Sequence, residues 1–196
     1  MHKKTDDIKE KLIQVTTELI SDSDGNAQHI TTRAIAEKAQ VGVGLINYHF
    51  QTKEHLIEIC VQRMIGNVIS AFQPNVSKEL DCIENLKETA KQVVDFLMEH
   101  PEISKISIMS DLSAPGLTDN TMKTVWGFLS FLPNYDMPQQ EKLLLTYSMT
   151  LMLQGMFLKK DITAQALHLD FNKKEQRDVW IDFMMERLYR NGEKSK

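Results

Sequence analysis

The stretch TTRAIAEKAQVGVGLINYHF at residues 31–50 decides how this chain of 196 residues folds. A helix is predicted to begin at Thr31 or Thr32, whose hydroxyl can accept from the free N–H groups of a first turn, and to end near Ala39. After a short turn, residues 43–50 are long enough for two more helical turns. The pattern therefore predicts two short helices joined by a tight turn.

Two such helices form a DNA-reading unit when one enters the major groove and the other crosses the backbone. The residues predicted to face the core are Ile35, Ala36, Ala39, Val41, Ile46 and Phe50. The remaining polar and outward positions are the candidate DNA contacts, namely Thr31, Thr32, Arg33, Val43, Gly44, Leu45, Asn47, Tyr48, His49 and Lys53. Side chains and N–H groups at helix starts can bind phosphate, and Tyr48 and His49 are candidate phosphate clamps.

The run TTRAIAEKA at residues 31–39, followed by Val41, Gly44 and YHFQTKEHL at residues 48–56, resembles the N-terminal signature of the tetracycline-repressor (TetR) family. The resemblance covers about residues 8 to 60. It implies an all-α homodimer with a three-helix DNA-binding head, a ligand-binding bundle, and repression that a small molecule relieves. Double-stranded operator DNA and an unidentified effector are therefore the expected partners, with no other cofactor.

Two residues depart from the family pattern. Gln40 stands where the family usually has glycine, which would cost about 1 kcal/mol if this residue adopts a positive φ. Asn47 replaces the usual tyrosine of the recognition helix, and its amide can pair with adenine or hold a phosphate. Gln40 therefore puts the shape of the turn in question, and Asn47 puts the base preference in question. The alternative to a DNA contact is that Asn47 and Tyr48 are simply solvated surface residues.

Every other segment of the chain has helical rather than strand periodicity, so the expected fold is all-α with about nine helices. A helix at residues 6–21 precedes the stretch, and one capped by Thr52 follows it as far as Pro74. The later helices are predicted at residues 83–100, from Pro101 to the break at 114–116, and at 117–132, 139–160 and 172–190. The last begins with a capping box of Asn172 and Glu175. We predict a DNA-binding domain at residues 1–53 and a ligand-binding and dimerisation domain at 54–196.

The segments 139–160 and 172–190 carry apolar residues on more than one face. A helix that is apolar on two faces must be buried on both. One face is expected to pack inward and the other to meet a second copy of the chain in a four-helix interface. The alternative is a single large monomer core.

Methionine and aromatic residues in the middle helices are candidates for an adaptable effector pocket. The candidate lining residues are Phe96, Met109, Trp126, Tyr147, Met152 and Met156. Ordinary core packing explains the same residues. A DNA-binding or architectural protein that needs no ligand is therefore the competing hypothesis on the same fold, and a bundle without a cavity would favour it.

Composition narrows the class of protein further. The net charge is −4. Residues 1–53 contain seven basic and seven acidic side chains, so the 16 basic and 20 acidic side chains of the rest of the chain account for the whole negative charge. A protein that coats DNA indiscriminately would be strongly basic, and this chain is not.

The sequence gives no sign of a metal site or of an enzyme. Cys60 and Cys82 have no neighbour at metal-ligand spacing, and no nucleophile, phosphate-loop or paired-carboxylate motif is present. With no apolar signal or membrane-spanning segment, a cytoplasmic protein is expected.

Overall fold

The computed structural model describes residues 2–71 and 80–190 and contains helices but no strand within these ranges. Ten α-helices are present there, close to the expected nine. They are α1 (His2–Ser21), α2 (Thr32–Ala39), α3 (Gly44–Phe50), α4 (Lys53–Ala71), α5 (Cys82–Glu99), α6 (Pro101–Ser113), α7 (Asn120–Leu129), α8 (Gln139–Leu158), α9 (Lys160–Leu167) and α10 (Lys174–Met185). The all-α prediction is confirmed. Pro74, predicted to end α4, lies outside the described residues.

The chain divides into two compact units. The first, here called the head, contains residues 1–73 and 100–110, and the second, called the bundle, contains residues 74–99 and 111–196. The head therefore includes α4 and most of α6, whereas the predicted DNA-binding domain ended at residue 53. Sequence periodicity locates helices but does not reveal which of them share a core, because that depends on long-range packing.

The core of the head is built from one face of each of its helices. α1 contributes Leu12, Ile13 and Ile20, and α6 contributes Ile103 and Ile106, all at most 7% exposed. The other buried members include Ile35, Ala36, Ala39, Ile46, Phe50, Leu56, Ile57, Cys60 and Val61. Burial raises the pKa of the Cys60 thiol to about 11, so this cysteine is a neutral core residue rather than a reactive thiolate.

In the bundle, α7 packs against α8, and α5 packs against α8 and α10. Ion pairs support the packing of α5 on α10: Lys91 Nζ lies 2.9 Å from a carboxylate oxygen of Asp182, and Asp95 binds both Lys174 and Arg177. Arg177 is only 7% exposed. Burial raises the pKa of the Asp95 carboxyl, but the hydrogen bonds from Lys174 and Arg177 outweigh it and hold this pKa below its usual value. The described helices include none that could cross a lipid bilayer.

The end of the chain differs from the prediction. The segment predicted as one helix from residue 172 to 190 forms α10 and then a π-helical turn, Glu186–Arg190. The capping box is wrong, because Lys173 is the N-cap and no side chain caps α10. Asn172 instead donates its side-chain amide to Asp170 Oδ1 at 3.2 Å. Because its side chain makes this local hydrogen bond, Asn172 does not cap the helix as the sequence pattern predicted.

Two neighbouring boundaries are also corrected. α7 begins at Asn120 rather than Leu117, because Asp119 Oδ1 accepts the Met122 N–H at 2.7 Å and fixes the start of the helix. α8 ends at Leu158, and α9 follows directly as a separate helix that the sequence did not predict. Residues 158–160 include neither proline nor glycine, so the sequence does not mark this break.

Candidate DNA-binding site

The start of α2 is fixed as the sequence predicted. Thr31 is the N-cap, and its hydroxyl oxygen accepts the Ala34 N–H at 3.1 Å. Ile35, Ala36 and Ala39 are at most 2% exposed and attach the helix to the core. Arg33 is 85% exposed, and its Nε donates to the Glu37 carboxylate one turn later at 3.0 Å. An exposed pair of this kind contributes little stability, so the guanidinium can exchange its partner for another anion.

The turn after α2 is closed by backbone hydrogen bonds around Gln40. This residue has φ 54° and ψ 45°, its N–H donates to Glu37 O, and the Val41 N–H donates to Ala36 O. These are the bonds of a Schellman motif, in which glycine usually occupies the left-handed position. The sequence departure at Gln40 therefore falls on a positive φ, and the turn keeps its shape in spite of the side chain.

We predict that Gln40→Gly raises the free energy of unfolding by about 0.5–1 kcal/mol, because glycine adopts the left-handed conformation without the cost of a Cβ. Chemical denaturation of the two proteins measures the difference. Gln40→Ala is the matched control: it removes the polar side chain but keeps the Cβ, so it should give no gain. Equal stability of the wild type and Gln40→Gly would show that the turn is unstrained.

α3 presents a mixed outer surface anchored by two core residues. Ile46 and Phe50 are at most 1% exposed, whereas Val43 and Tyr48 are 45% and 75% exposed and Asn47 is also exposed. Leu45 and His49 are half-buried. A Cβ added at Gly44 would meet no atom within 4 Å, so packing within the protein does not require a glycine there. The predicted division of this helix into inward and outward residues matches the structure.

The connection from α3 to α4 is a γ-turn centred on Gln51, which was not predicted from the sequence. Gln51 has φ 67° and ψ −51°, and the Thr52 N–H donates to Phe50 O at 2.8 Å. Turns of this hand are rare and strained for residues with a side chain. The Thr52 hydroxyl then caps α4 by accepting the His55 N–H at 3.1 Å, as predicted.

Lys53, another candidate phosphate contact, is half-buried, with 18% of its side chain accessible. Its Nζ lies 3.4 Å from Ala27 O, in a 3₁₀ turn before α2, and 3.5 Å from a carboxylate oxygen of Glu54. The ammonium thus joins the start of α4 to the segment that leads into α2. Thr32, also a candidate contact, is half-buried at the first position of α2.

The six candidate effector residues differ in their exposure to solvent. Met109, Trp126, Tyr147 and Met152 are between 36% and 47% exposed, and Phe96 and Met156 are half-buried. Met109 belongs to the head, and the other five belong to the bundle. The sequence could not separate an inner wall from an outer apolar surface, because both have the same residue types at helical spacing. A role in effector binding stays a prediction for these residues.

A polar link within the bundle was not predicted. The Asp111 carboxylate accepts both the N–H and the hydroxyl of Thr121 at 2.8 Å, and Gln154 on α8 donates to the same hydroxyl at 3.0 Å. Burial raises the pKa of Asp111.

The described residues contain no group of three or more His, Cys, Asp or Glu side chains arranged to hold a metal ion.

An exposed recognition-type helix held by a Schellman turn, a second helix and a buried core defines a helix-turn-helix head, the DNA-binding part of a transcriptional regulator. Residues 12–60 match the sequence model of the family described as bacterial regulatory proteins, tetR family. The head is therefore similar to the DNA-binding part of that family, over about a quarter of the chain.

Solved structures share the fold over nearly the whole chain. A TetR-like transcriptional regulator from Rhodococcus sp. RHA1 has 14% sequence identity and a TM-score of 0.61, with 96% of this chain and 97% of that one covered. A second regulator from the same organism has 14% identity and a TM-score of 0.56, covering 95% and 97%. A tetR-family regulator from Streptomyces coelicolor has 20% identity and a TM-score of 0.53, covering 95% and 88%. No curated protein matches the chain.

Proposed function

We propose that the protein is a homodimeric repressor that binds a palindromic operator through α3 and is released from it by a small-molecule effector. The observation that carries the DNA-binding part is the exposed surface of α3. Val43, Asn47 and Tyr48 point away from a core in which Ile46 and Phe50 are fully buried. A regulator that acts in this way needs no catalytic group, and it works in the cytoplasm, where the operator lies.

Each candidate contact has a role in this proposal. Thr31, Thr32 and Arg33 at the start of α2, with Tyr48, His49 and Lys53, bind phosphates and fix the register of the head on the duplex. Val43, Leu45 and Asn47 reach the edges of bases in the major groove. Gly44 lets the backbone of α3 approach the DNA, which fits the open space beside its Cα.

The outer faces of α8 and α10 support the dimer. On α8 the buried residues include Thr146, Met149, Thr150, Leu153 and Phe157. The opposite face carries Leu144, 63% exposed, and Leu151, 37% exposed, with Tyr147 and Met152 at its flanks. On α10, Val179 and Phe183 are 67% and 57% exposed and lie opposite the buried Ile181 and Met184. Apolar side chains repeated along the outer face of a helix are typical of an interface.

Binding selection from a pool of random duplexes tests the reading of DNA. The expected product is a palindrome whose two half-sites have centres about 10–10.5 base pairs apart, since a two-fold dimer presents two α3 helices about one DNA turn apart. Recovery of a single half-site would contradict the dimer, and recovery of no common sequence would contradict sequence-specific binding.

Effector release is tested on the selected duplex. A screen of small apolar and cationic compounds by thermal shift identifies ligands, because a ligand that binds the native state raises its melting temperature. We expect one of these compounds also to weaken binding to the palindrome, since it favours a state that fits the duplex less well. Binding that no stabilising ligand changes would favour the alternative, a DNA-binding protein without an effector.

A further inference from the structure

Lys9 on α1 lies beside the end of α3. Its Nζ is 5.9 Å from the centre of the Phe50 ring, at the limit of a cation-π contact. Phe50 is the last residue of α3 and is 1% exposed, whereas the Lys9 side chain is exposed. The lysine therefore reaches the end of α3 from a helix that carries none of the predicted DNA contacts.

Lys9 and Lys11 differ from the other lysines and arginines of the described part of the head helices α1 to α4, which form ion pairs. The other described cations of α1 to α4 that form ion pairs are Arg33 with Glu37, Lys38 with Glu18 and Asp22, Lys53 with Glu54, and Arg63 with Glu10. Among the side chains that the structure describes, no carboxylate pairs with Lys9 or with Lys11. A phosphate could bind the Lys9 ammonium without breaking an existing ion pair.

Three neighbouring aromatic rings, those of Phe50, His49 and Tyr48, lie between Lys9 and the outer surface of α3. The Phe50 ring centre is 6.1 Å from that of His49, which is 5.0 Å from that of Tyr48. Tyr48 and His49 are the residues assigned to phosphates at this end of the helix. Lys9 therefore lies at the same end of α3 as the side chains assigned to phosphates.

We propose that Lys9 is a further DNA contact, whose ammonium binds a backbone phosphate at the edge of the groove that α3 enters. The inference rests on the proposed DNA-binding function. The Phe50 ring holds the ammonium of Lys9 nearby, so less side-chain freedom is lost on binding. A phosphate contact positions the head and adds affinity without selecting a base.

Lys11 provides a matched control on the same helix. It is also an exposed lysine without an ion pair in the described part of the chain. Two residues along an α-helix are separated by about 200° around its axis. Lys11 therefore points away from the side on which Lys9 meets Phe50, and its removal changes the net charge equally.

Titration of the selected duplex over a range of salt concentrations tests the contact. With one phosphate per subunit, Lys9→Ala should reduce the slope of log Kobs against log salt by about 1.8 in the dimer. Affinity for the palindrome and for a scrambled duplex should fall by the same factor. Lys11→Ala should leave the slope unchanged, and Lys9→Arg should restore it, because arginine keeps the charge.

Lys9→Ala with the slope of Lys11→Ala would overturn the contact. So would a loss of affinity at unchanged slope with a lower melting temperature, because Lys9 would then only stabilise Phe50. These outcomes require a wild type that binds DNA. If the wild type bound no duplex, the regulator proposal itself would fail, and the Lys9 contact with it.

Discussion

Phe183→Asp is expected to convert the proposed dimer into a monomer and to weaken binding to the selected palindrome by about 100-fold or more. Phe183 is 57% exposed on α10, and the Arg187 guanidinium lies 5.3 Å from its ring centre. In a two-fold interface each substitution appears twice, so two carboxylates would lie among apolar side chains, where the neighbouring Arg187 offsets only part of the cost of removing their charge from water. The loss of linked half-sites removes the gain of about 10²- to 10⁴-fold that bivalent binding gives.

Sedimentation or light scattering at micromolar concentration measures the oligomeric state, and titration of the palindrome measures affinity. Leu144→Asp on α8 should act in the same direction, because the same interface would include its outer face. Ile162→Asp is the matched control: this side chain is 60% exposed on α9, outside the proposed interface. A dimer that survives both Phe183→Asp and Leu144→Asp would place the interface elsewhere on the bundle.

The sequence predicted those parts of the head in which local chemistry and burial point to the same structure. Thr31 and Thr52 are caps because a hydroxyl can accept a nearby N–H, and this requires no information from the rest of the chain. Ile46 and Phe50 are buried because the spacing of apolar residues on a short helix allows one inward face. The left-handed conformation at Gln40 was suggested only by the family resemblance, because the family usually has glycine at this position.

Features that depend on distant contacts could not be predicted. Lys53 gives no sign in the sequence of its contact with Ala27 O, 26 residues away, and Lys9 gives none of its approach to Phe50. The γ-turn at Gln51 is occupied by a residue that does not favour a positive φ, so it also lacks a local signal. Trp126 and Met109 are exposed although their residue types suggested an interior, because apolar periodicity does not distinguish a core from an outer face.

The second large effect is expected at Asn47. This residue is exposed on α3, and an asparagine amide can pair with both the N6 and N7 atoms of adenine. Asn47→Ala should therefore remove discrimination at one base pair in each half-site, a loss of about 10- to 100-fold in preference for the selected base. Selection with the variant should recover a palindrome that is degenerate at one symmetric pair of positions and unchanged elsewhere.

Lys53→Ala separates this effect from a general loss of affinity. A phosphate contact carries no sequence information, so this variant should weaken binding to all duplexes alike and leave the selected sequence unchanged. Because Lys53 also donates to Ala27 O, its melting temperature has to be measured beside its affinity. If Asn47→Ala instead weakened all duplexes equally, Asn47 would hold a phosphate, and base preference would lie with Val43, Leu45 and the shape of the DNA.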